Sequence, residues 1–397
     1  MMTSVVDTSV KFINSSQPGA PVLNGTAGSL ISVLDALLVT GWGLQTATSL
    51  VIAGGVATMT FSSPFPAVVD SVILVAGSSI AALNGEQKVT AVGSGAVSFA
   101  TAAADGSASG TITAKMAPAG WAKVFAGTNK AAYKSSDPTS NGMHLRIDDT
   151  DATVARVVGY EQMSDIDTGM GLFPSAAQQS GGGYWLKSVA ATSVPAGYFI
   201  AADSRSLLSN ICPFLYAGAE FVAGNTHGYG DLITSRASGD VFATILNYAI
   251  VNDGGGASNY GLDTRSGASC AMPRDYTGLG GPVLRPRRPL SGSPDSTSGL
   301  DSTWGNFPSY IDGQMVLSKV AVVQASPGPV RGIIPGLFHV PQAGLGNSFS
   351  RGARVTGSGA LAGRTLLAVN NVDGGASLSQ GAGGRGVSFI DITGPWR

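Results

Sequence analysis

The chain has 397 residues, 23 Lys plus Arg against 24 Asp plus Glu, and a net charge of -1. That length is enough for a sizeable core and for two domains. Near-neutrality removes the nonspecific electrostatic attraction that drives most nucleic-acid and anionic-membrane binding. Charged residues are only 12%, about half the usual share, whereas Gly (56) and Pro (20) make near a fifth of the chain. Three explanations fit such a folded, turn-rich composition: much of the surface is buried in an assembly, a polar β protein is solvated by Ser and Thr, or the chain comes from a low-charge proteome. Of these, burial in an assembly is favoured.

The N-terminus lacks the basic start and apolar core of a secretory signal. Leu30, Val33, Leu34, Leu37 and Leu38 recur at the spacing of one helical face, with Ser29 as N-cap and Gly41 as stop. No charge lies between Asp35 and Asp70, but Gly41, Gly43, Gly54, Gly55, Pro64 and Pro66 break that stretch. It is too interrupted for a membrane span, and the chain is expected to be soluble. The period then changes to two. Ser49–Ala53, Gly54-Gly55 and Val56–Phe61 read as a β-hairpin with a primed turn. Further strands are predicted over Val68–Ala76, after an Asn84-Gly85 turn at Lys88–Val92, and at Gly110–Ala114.

A composition shift at Pro118–Trp121 marks a boundary. We expect an N-terminal unit, residues 1–118, made of one helix and a small antiparallel barrel or sandwich. A larger β-sandwich-like domain, residues 119–397, follows. Its predicted strands are His144–Ile147, Thr153–Val158, Tyr184–Lys187, Gly197–Ala202, Val316–Gln324, Arg364–Val369 and Val387–Thr393. A short helix is expected at Val241–Ala249. Residues 271–305 are rich in Pro, Gly and Ser and read as an extended arm, in which Arg285, Arg287 and Arg288 either dock on a neighbour or form a solvated surface loop. The fold class is therefore all-β, with long loops.

Candidate chemistry is sparse. Asp167-Thr168-Gly169 matches the tripeptide of aspartic proteases, but that chemistry needs two carboxylates sharing a proton and no second copy occurs. His144, Asp148, Asp149 and Asp151 are close in sequence. Strand alternation nevertheless sends Asp148 and Asp149 to opposite faces, and the run reads as an Asx turn rather than a metal loop. His227 sits in the glycine-rich Gly224–Gly230 segment and reads as an exposed loop histidine. Gly381–Gly386 fits a dinucleotide fingerprint only formally, because it precedes a strand instead of opening a helix. Cys212 and Cys270 have no paired spacing and read as apolar fillers. No catalytic, cofactor-binding or metal-ligating residue is assigned, and no cofactor is expected.

Several ordered segments carry a resemblance. They are Gly19-Ala20-Pro21, then Gly25–Leu30 leading into the helix, Gly41-Trp42-Gly43, Leu50–Thr58 and Leu83–Glu86. Next come Gly120–Lys123, Gly127–Ala131, Leu145–Thr150, Gly159-Tyr160-Glu161 and Gly182–Ser188. Val330–Leu337 and Asp391–Arg397 complete the set. Together they resemble a family of virion structural proteins of tailed bacteriophages, and the 49–114 module resembles small β modules of phage tails and baseplates. The resemblance implies a non-enzymatic structural component of the virion, made in the bacterial host cytoplasm and assembled in symmetric copies with itself and other virion proteins. A tail or baseplate position is expected first, and capsid decoration or a head fibre second. A glycan-binding tip is third, with Tyr184-Trp185 available to stack on a host-surface sugar. The rival of another class is a depolymerase or peptidase. A depolymerase would be expected to show β-helix periodicity or a carboxylate pair, and neither is found in the sequence.

Overall fold

The computed structural model describes residues 6–212, 225–252, 260–262, 269–287, 305–324, 329–342, 345, 348–349, 352–370 and 387–397. The all-β expectation holds. Every strand pairing among these residues is antiparallel, and one helical segment stands near the start.

The chain opens with strand β1 (Lys11–Asn14), then helix α1 (Ser29–Leu34), whose last turn widens to π geometry over Asp35–Thr40. Leu30, Val33, Leu34, Leu37 and Leu38 are all buried, as their spacing predicts. Ser29 does not cap the helix. Its hydroxyl donates to the Asn24 carbonyl (2.8 Å), and Gly28 takes the cap position in the left-handed region.

A module of eight strands follows: β2 (Trp42–Thr46), β3 (Ser49–Ala53), β4 (Val56–Thr60), β5 (Val72–Ala76), β6 (Gly85–Gly93), β7 (Ala96–Ala100), β8 (Gly106–Ser107) and β9 (Thr113–Met116). Their order is β2-β9-β5-β6-β7-β4-β3-β8. The predicted hairpin is present, with Ala53 opposite Val56 and both Gly54 and Gly55 at positive φ, the backbone a primed turn requires. β5 starts four residues later than predicted, because Val68 to Ser71 form a turn with Asp70 at φ 69. Asn84-Gly85 does not make a two-residue turn either. The Asn84 amide instead clamps the Ser78 backbone through both its nitrogen and its oxygen.

β2 and β9 carry the chain into and out of the module side by side, with Trp42 opposite Met116. The residues before Trp42 belong with the larger region by their contacts. β1 pairs with a later strand, the Tyr133 hydroxyl donates to Asp35 (2.8 Å), and the Ala119 amide donates to Leu37 (2.7 Å).

The larger region begins with a five-stranded sheet, β10 (Trp121–Gly127), β11 (Lys130–Ser135), β12 (His144–Asp148), β13 (Val154–Tyr160) and, after the small hairpin β14 (Gln162–Met163) and β15 (Gly169–Met170), β16 (Gly183–Leu186). A second sheet contains β1 together with β17 (Gly197–Ala202), β18 (Ser206–Cys212), β19 (Asn225–Asp231), β20 (Ile233–Thr234), β21 (Thr244–Tyr248), β22 (Ser269–Ala271), β23 (Val283–Arg287), β24 (Ser318–Gln324), β25 (Val330–His339), β26 (Arg354–Thr356), β27 (Thr365–Asn370) and β28 (Val387–Asp391). It runs β1-β17-β18-β19-β21-β22-β23-β24-β25-β28-β27-β26. β20, one residue beyond β19, pairs with β25. That pairing makes the sheet curl back on itself.

The result is layered. Along β17, Tyr198, Ile200 and Ala202 enter one core while Phe199 and Ala201 enter another. The first core lies under the five-stranded sheet and helix, with Tyr133, Leu145, Val157 and Trp185. The second is closed by Val320 and Val322 of β24, Ile334 of β25, Val369 of β27 and Ile390 of β28. Strands of this middle layer are buried on both faces, so they lose the polar alternation of a surface strand.

This explains the main departure from expectation. The helix predicted at Val241–Ala249 is strand β21. Its apolar run reflects Ile245 in one core and Leu246 and Tyr248 in the other.

The predicted arm at 271–305 is not an arm where it is described. Cys270 pairs with Leu284, and Arg285, Pro286 and Arg287 face Val323, Val322 and Ala321. Pro286 is tolerated because the β22 ladder ends at Leu284, leaving no partner in want of an N–H. Arg288 and the rest of the predicted arm to residue 304 lie outside the described residues, as does Gly381–Gly386. The C-terminal residues pack internally. Trp396 is buried with Nε1 on the Asp391 carbonyl (2.8 Å), and Arg397 pairs with Asp203 (3.0 Å).

Candidate functional site

The most demanding polar arrangement is a buried node where α1 meets the five-stranded sheet. Asp149, one residue past β12, is fully enclosed. Its Oδ2 accepts from the Leu30 and Ile31 amides (2.8 and 3.2 Å), and its Oδ1 accepts from Lys187 Nζ, also fully enclosed. Lys187 donates as well to the Thr26 carbonyl (2.7 Å). The carboxylate thus satisfies the first free N–H groups of the helix. Burial raises the Asp149 pKa, and the Lys187 ammonium counters that rise. With both charged groups fully enclosed and bonded to each other, to the helix and to the Thr26 carbonyl, the node fixes helix to sheet and has no face for a substrate.

Its sequence neighbours point elsewhere, as strand alternation predicts. Asp148 and Asp151 accept from Thr150 and Thr153 in Asx turns. The Thr153 amide holds Asp151 below its usual pKa. Among the described residues, no three His, Cys, Asp or Glu side chains gather to hold a metal.

Asp167 of the protease-like tripeptide lies on the surface. It is paired with Lys130 (2.9 Å) and Arg146 (2.5 Å), and these cations hold it ionised below its usual range. A carboxylate so neutralised does not share a proton with a partner, which is the property aspartic-protease chemistry requires.

His227 corrects the reading of an exposed loop histidine. It is in β19, 1% exposed, stacked on Trp185 with ring centroids 5.9 Å apart, and bonded through Nδ1 to Asn247 Oδ1 (2.7 Å). Burial lowers its pKa to about 4. The glycines that suggested a loop instead leave room for neighbours: a Cβ on Gly228 would meet the Leu262 side chain at 2.8 Å. Trp185 Nε1 donates to the Asn247 carbonyl (2.7 Å), and the indole is fully buried, while Tyr184 is covered by the Arg156 guanidinium at 4.1 Å. Neither ring of the pair offered for sugar stacking is a free platform. Cys212 and Cys270 are buried and unpaired, and burial pushes the Cys270 thiol up to about 12.

A shallow groove of about 480 Å³ runs beside α1, lined by Asn24, Ser29, Ser32, Lys123, Asn129 and Lys130. Its two cations are already spent, Lys123 on Asp35 and Lys130 on Asp167.

What sequence reading missed is at the surface. Tyr310 and Ile311 are 87% and 97% exposed, and Leu279 is 72% exposed, with Met170, Val241 and Tyr276 also outward. Tyr276, Leu279, Tyr310 and Ile311 stand outside the strands, so no hydrophobic period marks them. The chain matches no known protein-family model and no curated protein.

Proposed function

We propose that this protein is a non-enzymatic structural subunit of a tailed-bacteriophage virion, assembled in multiple symmetric copies, with a tail or baseplate position first and capsid decoration or a head fibre second. The observation that carries the reading is the set of large apolar side chains left at the surface of a chain with only 12% charged residues. Clustered exposed apolar groups mark faces that meet other proteins. The composition and the ordered segments resembling phage virion proteins support the same reading. The burial of Trp185 counts against a glycan-binding tip. The polar groups that might have suggested an enzyme are spent on ion pairs, Asx turns and a helix terminus.

The test is to purify phage particles from an infected culture and quantify this chain by mass spectrometry against the other particle proteins. A fixed integral stoichiometry supports the reading, and gold labelling seen by electron microscopy then separates head from tail. Absence from finished particles, with turnover of a polysaccharide or peptide by the purified protein, overturns it.

A further inference from the structure

We propose that Asp149 and Lys187 join covalently in the folded chain, the Lys187 amine and the Asp149 carboxyl condensing to an amide with loss of one water. The reaction belongs to the folded chain alone and happens once, so it does not depend on where in a particle the protein sits.

The two groups are held in place from several sides. Asp149 follows β12 and Lys187 follows β16, with β13 between those strands, so both residues leave the five-stranded sheet at the same end. Their main chains are pinned there. The Asp149 amide donates to the Asn129 carbonyl (2.8 Å), the Asp149 carbonyl accepts from the Gly28 amide (2.9 Å), and the Lys187 amide donates to the Thr153 carbonyl (2.9 Å). Nζ rests against Oδ1, and both side chains are wholly enclosed. Groups held in contact in this way react without the entropy cost of meeting.

Each polar neighbour fits one atom's part in the condensation. In the ion pair, Nζ carries three protons. One passes to Oδ1, leaving an amine beside a carboxylic acid. The Nζ lone pair then attacks Cγ, and the negative charge that develops on Oδ2 is met by the Leu30 and Ile31 amides already bonded to it (2.8 and 3.2 Å). A second Nζ proton passes to Oδ1, the Cγ–Oδ1 bond breaks, and Oδ1 leaves as water. Oδ2 becomes the amide oxygen and keeps both of its donors. The third proton stays on the new amide nitrogen, facing the Thr26 carbonyl to which Nζ already donates (2.7 Å). Atoms and charge balance with no further reactant.

Enclosure favours the product. Burial raises the Asp149 pKa, which brings its carboxylate nearer to the proton transfer that begins the sequence. Two buried charges become one neutral amide with its hydrogen bonds intact, so the desolvation cost of the pair is removed. A closed site also keeps water from returning to hydrolyse the bond. The result is a staple from β12 to β16 across β13, bridging 38 positions of the chain, which pulling on the sheet cannot unzip.

Intact-mass spectrometry of the purified full chain under denaturing conditions is the test. The wild type is expected about 18 Da, one water, below the mass of its sequence. Trypsin should then fail to cut after Lys187 and should release residues 147–156 joined to residues 157–205 as one branched peptide. Lys187→Arg keeps the positive charge but offers a guanidinium that stays protonated, and it should restore the full mass. A folded wild type that keeps its full mass after prolonged incubation at neutral pH overturns the proposal. So does a chain that has lost the water yet is still cut after Lys187, because a cyclised aspartate elsewhere gives the same loss. Both readings come from the wild type, so they stand even where the arginine variant does not fold. Neither bears on the virion reading, which particle stoichiometry tests separately.

Discussion

The β module, residues 42–116, and the middle layer of the large sheet are both antiparallel, yet they were legible to very different degrees. In the module, β3 alternates exposed and buried residues along its whole length, and its hairpin closes through two glycines in the left-handed region. Each signal is local, and each appears in the sequence as a period of two with a turn between. In the middle layer, β18 is buried at all seven positions and carries Ser209 and Asn210 inside. Its strands obey two cores at once, and Asn210 finds its partner on the next strand, donating to the Thr226 hydroxyl 16 residues on (2.9 Å). A strand with one wet face announces itself; a strand with two dry faces resembles a buried helix.

That difference sets the order of three experiments. The largest effect is expected at the Asp149–Lys187 node, where the larger region depends on long-range pairing. Asp149→Ala leaves a buried ammonium without its partner and strips the helix N-terminus of its acceptor. It should cost about 3–5 kcal/mol in urea unfolding. A loss below about 1 kcal/mol would show that this region is no more dependent on distant contacts than the module.

The second test is by pH. His227 has a folded-state pKa of about 4, below the ordinary 6.5, because burial disfavours its charged form. The unfolded chain then binds the extra proton, so stability falls as pH drops from about 6.5 towards about 4, by at most about 1.4 kcal/mol per pH unit. His144, also lowered by burial, acts in the same direction. Urea midpoints measured across that range should fall, and His227→Phe should flatten the slope. An unchanged slope in the variant would place the acid sensitivity elsewhere.

The smallest effect belongs to the module. Gly54 has φ 58 and nothing near a prospective Cβ, so Gly54→Ala meets backbone strain alone and should cost about 1–2 kcal/mol. Val51→Thr on the exposed face of β3 should stay within about 0.5 kcal/mol. If the alanine variant matched the threonine control in thermal melts, the turn would not be fixing the hairpin.

The misreadings share a cause. Val241–Ala249 reads as a short buried helix because two cores claim alternate residues of β21 and leave no polar alternation along it. His227 looked like a loop residue because Gly224, Gly228 and Gly230 surround it. At Gly228 the Leu262 side chain crosses, and at Gly230 the Arg205 and Ser206 backbone comes within 2.5 Å of a prospective Cβ. Arg285-Pro286-Arg287 looked like an arm because a proline disfavours an interior strand, and only the early end of the β22 ladder makes room for it. Asp149 was separated correctly from Asp148 by alternation, but its partners, 118 and 119 residues away at the helix and 38 away at Lys187, carry no mark in sequence.

The sequence by itself determined that the chain is all-β, where α1 lies, where the Gly54-Gly55 hairpin turns, and that its charges are few and nearly balanced. Those properties depend on neighbours within about ten residues or on composition alone. Only the tertiary structure decided that the large sheet curls through β20 onto β25, that the C-terminal tryptophan folds inward, and that Tyr310, Ile311 and Leu279 remain uncovered. Each of those outcomes depends on which distant strand reaches a given face first, and a linear chain carries no local record of that competition.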